Sequence, residues 1–333
     1  MSANKVEDTE QVHGFAWIYA FDEQLNARTI RPDASFSLEQ DKGFVWAHLG
    51  LADTRARKWI AAQELIFEDA REAVLSSESH PQLEWRRDAL WGTLYDIQRE
   101  FNGFGDDSTD VRFILTPRFL LTARRHPIHS ADVVRRRIEA GAEIDSSAAL
   151  FEQLVDCIID DVGAALHRIA GRLDRVEDRV LSETLSDERA PLLELRRIIS
   201  RYNRLIGGLH NVFSRLDRPR SESAAEIYRE IGMRVVQRIT SLHDDVHLLA
   251  ERSRMLQDEV DAQLTSETNR NLFVLTILTT LLLPATLVTG FFGMNTKGMF
   301  FAESDNATLF AAFFCCLASA IVYWIIRRNN ILG

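Results

Sequence analysis

Two groups of residues in this 333-residue chain could do chemistry by type and spacing. Asn269, Leu272, Thr276, Thr279, Leu283, Thr286 and Gly290 recur at intervals of three and four, and at ~100° per residue on a helix they fall within an arc of about 100°. Three threonines on one stripe of an apolar helix offer neutral oxygens stacked one above the other, as a passage for hydrated cations requires. Helix packing inside a membrane uses the same residue types. His243 and His247 are spaced i,i+4 with Asp244 and Asp245 between them, a spacing that suits a shared metal ion. A solvated polar face of a stalk helix would carry the same residues. His126 and His129, around Pro127 in what reads as a basic loop, form a weaker pair. No nucleophile, base or metal cluster of an enzyme stands out and no phosphate-binding loop is present, so neither catalysis nor ATP nor a bound cofactor is expected.

The elements that must position these residues follow from patterning. Up to about residue 145, the runs HGFAWIYAF, GFVWAHLGL, ALWGTLYDIQ and VRFILTPRFLLTARR alternate as strands do, the last folding back at Thr116-Pro117-Arg118. TRARKWIAAQEL and EDAREAVLS between them read as helices. From Ser146 onward Phe151, Leu154, Ile158, Val162, Ile169, Leu173, Val176 and Val180 mark an amphipathic helix, and a second covers roughly 188–216. A third starts near Ser221, carries the seam Ile239, Leu242, Val246, Leu249, Leu256 and Val260, and meets neither Pro nor Gly between Met233 and Pro284. Running from about 222 to 291 it would span ~105 Å at ~1.5 Å per residue, which calls for partners along its length.

Charge separates the chain into two parts. Of 39 basic and 49 acidic side chains, only Lys297, Glu303, Asp305, Arg327 and Arg328 lie beyond residue 270, which leaves 36 against 47 before it. That acidic mass disfavours nucleic acid and draws cations. The uncharged runs Asn271–Thr296 and Asn306–Ile326 are each long enough to cross ~30 Å of hydrocarbon, so a lipid bilayer is the expected surrounding. Arg270, Arg327 and Arg328 flank the spans, whereas the loop 296–305 carries one Lys and two acids. The positive-inside rule then puts both termini in the cytosol. Cys157 in a helix and Cys315-Cys316 in an apolar span read as reduced thiols, the adjacent pair making lipid or helix contacts.

The segment LPATLVTGFFGMN, ending in Gly293-Met294-Asn295 after a Pro-containing span and before one last span and a basic tail, resembles the signature of the CorA superfamily of divalent metal-ion transporters. The resemblance covers the whole chain. It implies an α+β/α membrane protein: a cytosolic α/β domain (1–145), a helical hairpin (146–220), a stalk helix (221–270), a pore-lining span (271–292), an outer loop (293–305), a second span (306–326) and a basic cytosolic tail (327–333). It also implies a homopentamer in a bacterial inner membrane, the stalks forming a funnel and the first spans a central pore. Asn295 would form a carboxamide ring at the outer mouth, Thr286 and Gly290 pore-facing positions, Leu272 and Leu283 hydrophobic constrictions, and Asn269 a polar ring at the cytosolic end. Thr276 and Thr279 come from the helical arc.

RRIISRYNRLIGGLHNVFSRL and RMLQDEVDAQLTSETNRN resemble the zinc-transporting ZntB-like branch more than the magnesium branch, whose loop carries a Met-Pro-Glu-Leu element absent here. The chain departs from that branch in having Met294 where Ile is frequent, and Thr296-Lys297-Gly298-Met299 where a Gly-Gly loop is usual. Zn²⁺ is the favoured cargo, with a CorA-type Mg²⁺/Co²⁺/Ni²⁺ channel as the alternative and a membrane-anchored scaffold or sensor more remote. Zinc prefers N and S ligands, which this mouth does not offer.

Overall fold

A computed structural model of the protein describes residues 14–31, 36–38, 42–78, 80–100, 103–182, 189–216, 226–294 and 307–328. The chain divides into two compact units, 1–256 and 257–333. In the first, β1 (Phe15–Phe21), β2 (Ala27–Thr29), β3 (Phe44–Gly50), β4 (Gln82–Arg86), β5 (Ala89–Glu100), β6 (Gly103–Leu115) and β7 (Phe119–Arg124) form one sheet in the order β2-β1-β3-β7-β6-β5-β4. The central β3–β7 pair is parallel and the other neighbours are antiparallel.

A parallel pair needs both faces covered, and β3 and β7 are buried along almost their whole length. One face, with Val45, Ala47, Leu49, Leu121 and Ala123, packs on Ala56 and Ile60 of α1 (Thr54–Ala61) and on Ala70 and Val74 of α2 (Glu68–Leu75). The alternate residues, Trp46, His48 and Thr122 among them, lie on the other face, which α3 (His129–Glu139) and α4 (Ser147–Leu181) cover. His48 is fully buried, its Nδ1 2.7 Å from Thr122 Oγ1, which also accepts from Trp46 Nε1 at 2.9 Å. Its ring stacks on Trp17 with centroids 4.2 Å apart. Burial holds its pKa well below the ordinary imidazole value, so the ring is neutral in the folded protein.

The sequence pattern does not disclose β2, β4 or the first half of β6. The polar, glycine-rich GFGDDST of β6 follows no apolar alternation; backbone pairing with β5 carries it. His129 is corrected from loop to the first residue of α3, where its Nδ1 lies 2.6 Å from Asp161 Oδ2 on α4. Asp96 of β5 accepts from the Ser130 N–H at 3.1 Å and the Ser130 hydroxyl at 2.7 Å, a cap supplied from outside the helix because Ile128 has none to give.

Ser146 caps α4 by accepting from the Ala149 N–H at 3.1 Å, and all eight apolar positions expected on that helix are buried. α5 (Arg189–Phe213) follows, then α6 (Glu226–Phe292), a single 67-residue helix. Ser221, near which the sequence starts this helix, lies outside the described residues. A ladder of arginines on α6 meets carboxylates on α4: Arg234 with Glu152, Arg238 with Asp156 and Asp160, and Arg252 with Asp174 and Glu177. Burial raises the Asp156 carboxyl above its usual value, and Arg238 pulls it the other way.

Candidate functional site

The second unit holds the C-terminal part of α6 and α7 (Ala307–Arg328), both apolar and long enough to cross a membrane. Leu272, Leu275, Leu278, Leu282, Leu283 and Leu287 are exposed on the single chain, Leu283 by 70%. Water is no surrounding for such a surface; lipid or further copies of the helix are.

α7 covers one face of α6. Ile277, Leu281, Pro284, Ala285, Val288 and Phe292 are half-buried on α6, and Ala311, Cys315, Ala318, Ser319 and Val322 are half-buried on α7. Small residues on the α7 side permit close approach, and two polar side chains bind the α6 backbone across it. Ser319 Oγ donates to Leu281 O at 3.1 Å and Cys315 Sγ to Ala285 O at 3.6 Å. Cys316 is exposed, not buried, so the adjacent cysteines part as their ~100° separation requires.

At ~100° per residue the covered face of α6 centres about 180° from Leu272, Thr276, Thr279, Leu283, Thr286 and Gly290. Those six residues and Asn269 are all exposed. Their threonine hydroxyls are not idle: Thr276 donates to Leu272 O at 2.7 Å, Thr279 to Leu275 O at 3.0 Å and Thr286 to Leu282 O at 2.6 Å. Back-bonding satisfies the hydroxyl proton inside the helix and leaves the oxygen lone pairs outward. The stripe also continues toward the N-terminal side of Asn269. An open groove lined by Asp258, Asp261, Ala262, Thr265, Ser266 and Asn269 lies on the same side of the helix. Those carboxylates were readable from the same arc, had it been extended three turns before Asn269.

At the other end Gly293 still bonds helically, its N–H to Thr289 O at 2.9 Å, and Met294 N–H reaches Phe291 O at 3.3 Å. A Cβ on Gly293 would stand 3.1 Å from Thr289 O, tighter than ordinary van der Waals contact. Asn295 lies outside the described residues. His243 and His247 sit side by side in the first unit with ring centroids 4.4 Å apart. A third ring that no sequence pattern pairs with them, His210 of α5, stacks on His243 at 5.8 Å.

Residues 41–328 match the family model described as CorA-like Mg²⁺ transporter protein. The zinc transport protein ZntB of Yersinia enterocolitica (serotype O:8 / biotype 1B) is 22% identical over 316 residues, 95% of each chain. The solved full-length CmaX protein superimposes with a TM-score of 0.80 at 22% identity, covering 96% of this chain and 98% of its own. The CorA magnesium transporter of Methanocaldococcus jannaschii does so with a TM-score of 0.75 at 17% identity, covering 93% and 97%.

Proposed function

The chain belongs to the CorA family of divalent cation transporters, which are not enzymes, and from that premise we propose that it carries Zn²⁺ through the central pore of a homopentamer in a bacterial inner membrane, with both termini cytosolic. The observation that carries the reading is the placement of the stripe. One helix neighbour covers α6 on the face opposite Thr276, Thr279, Thr286 and Gly290, which leaves the hydroxyl-bearing side for the axis of an assembly. In a pentamer built this way α7 stands outside and faces lipid, and α6 stands inside.

The mouth works by weak, neutral coordination. A hydrated divalent ion gives up its water reluctantly, and the carboxamides of five Asn295 residues accept hydrogen bonds from that water without trapping the ion. Leu283 and Leu272 narrow the passage, and Thr286, Thr279 and Thr276 supply acceptors between them. A negative-inside potential contributes roughly 4.6 kcal/mol per divalent ion per 100 mV. Between Asn271 and Phe292, and between Thr308 and Ile326, no Asp, Glu, His, Lys or Arg offers a proton relay.

Zinc is favoured by similarity to a zinc transport protein over nearly the full length of both chains. A Mg²⁺ channel is the second reading, favoured by a stripe that offers oxygen and no nitrogen or sulfur ligand. Flux of Zn²⁺ and Mg²⁺ into proteoliposomes under an imposed negative-inside potential, with and without a pH gradient, decides between them. Zinc uptake abolished by Asn295→Ala, with assembly intact, is the expected outcome. Potential-driven Mg²⁺ uptake without zinc transfers the cargo to magnesium, and uptake undiminished by Asn295→Ala overturns the mouth.

A further inference from the structure

We propose that His210, His243 and His247 form a three-imidazole binding site for a transition-metal cation of the Zn²⁺ class, joining α5 to α6 in the first unit. His243 and His247 stand one helical turn apart on α6, and His210 of α5 stacks on His243. At Zn–N distances of ~2.0–2.1 Å and tetrahedral angles, two ligating imidazoles have ring centroids about 5 Å apart. The observed separations of 5.8 Å and 4.4 Å bracket that value. With the rings as they stand, no three His, Cys, Asp or Glu groups among the described residues could hold one ion. Closing the site therefore takes rotation of the side chains about their own torsions. The chain just beyond α5 does pack closely on α6, since a Cβ on Gly232 of α6 would lie 2.9 Å from Leu216 Cβ.

The chemistry of the set selects its ion. Imidazole nitrogen suits Zn²⁺, Co²⁺, Ni²⁺ and Cu²⁺, whereas Mg²⁺ takes oxygen and keeps its water. His210 and His243 are half-buried and His247 is exposed, so an ion can reach them from solvent past the exposed Asp244 and Asp245, and water can fill the fourth position. Occupancy is a cross-link between α5 and the long helix. The site stands on this geometry and is independent of which ion the pore carries.

Cobalt reports the site directly, because tetrahedral Co²⁺ absorbs strongly in the visible and a hydrated ion among oxygens does not. Titration of the full-length protein, with any affinity tag removed, is expected to raise that band to saturation at one Co²⁺ per chain. Zn²⁺ discharges it and a large excess of Mg²⁺ does not. His210→Ala, His243→Ala and His247→Ala each weaken Co²⁺ binding by at least about 10–100-fold, the range that loss of even an outer-shell partner produces, while His126→Ala leaves it unchanged. Where an alanine variant fails to fold by circular dichroism, the Gln variant at that position gives the reading. Absence of the band in the parent protein, or its survival in the His210 variant, overturns the proposal. Zinc flux in the same preparation is read separately: a band without flux keeps the site and removes zinc as cargo.

Discussion

Thr286→Val tests the pore stripe at one atom per chain. Valine keeps the shape of threonine and removes the hydroxyl, whose proton is bonded to Leu282 O at 2.6 Å within the helix. If the oxygen faces the passage, each hydrated ion loses one or two hydrogen bonds there at ~0.5–1.5 kcal/mol net apiece. A barrier raised by about 1–2 kcal/mol slows flux by about 5–30-fold. Thr289→Val is the matched control: its hydroxyl is also back-bonded, to Thr286 O at 3.0 Å, yet it lies about 100° around the helix from the stripe. Initial rates in proteoliposomes at one imposed potential, normalised to reconstituted protein, give the comparison. Equal rates for Thr286→Val and the parent, or equal losses in the two variants, would refute the assignment of that face to the pore.

Ser319→Leu forces a larger side chain against Leu281 and costs about 1–3 kcal/mol of packing, read as a lowered Tm in detergent. Arg238→Met leaves the Asp156 carboxyl to burial and to the neighbouring Glu152 and Asp160 charges, all of which push its pKa further up. A carboxyl whose folded pKa is raised stabilises the fold below its unfolded value and loses that contribution as pH rises through the folded one. The variant is therefore expected to fall behind the parent most at neutral pH and least near pH 4, and Asp156→Asn in the same chain to restore it. His48 gives the opposite slope. Its folded pKa is depressed, so its contribution is present above the unfolded value of ~6.5 and is lost as pH falls below it; tryptophan-detected denaturation from pH 8 to 5.5 should show a decline that His48→Phe flattens.

The long helix and its membrane-spanning end were legible because charge and Pro/Gly punctuation are local properties: between Met233 and Phe292 the sequence offers a helix no breaker but Pro284 and Gly290, and α6 runs through both. The helix α4 was legible from the spacing of its apolar residues and its start near Ser146, whereas the cap that Ser146 makes there is seen only in the structure. Placing α7 against Leu281 and Ala285 was not, because in a segment as uniformly apolar as ATLFAAFFCCLASAIVYWII hydrophobicity cannot mark a face, and only Ser319 and the small residues around it do. β4 and the polar half of β6 escaped because their partner strand and not their composition holds them. His210 escaped because it reaches His243 across 33 residues of chain, through tertiary packing that no local spacing encodes.

The back-bonded threonines have a consequence for the sign of what can pass. A hydrated cation turns its water oxygens inward and its hydrogens outward, so it asks the wall for acceptors; a hydrated anion does the reverse and asks for donors. With the hydroxyl protons of Thr276, Thr279 and Thr286 committed to the carbonyls of Leu272, Leu275 and Leu282, a passage lined by them has oxygens to offer and no protons. Such a lining turns anions away without carrying any charge, and it keeps that preference at any pH and at high salt, where a ring of carboxylates would be protonated or screened.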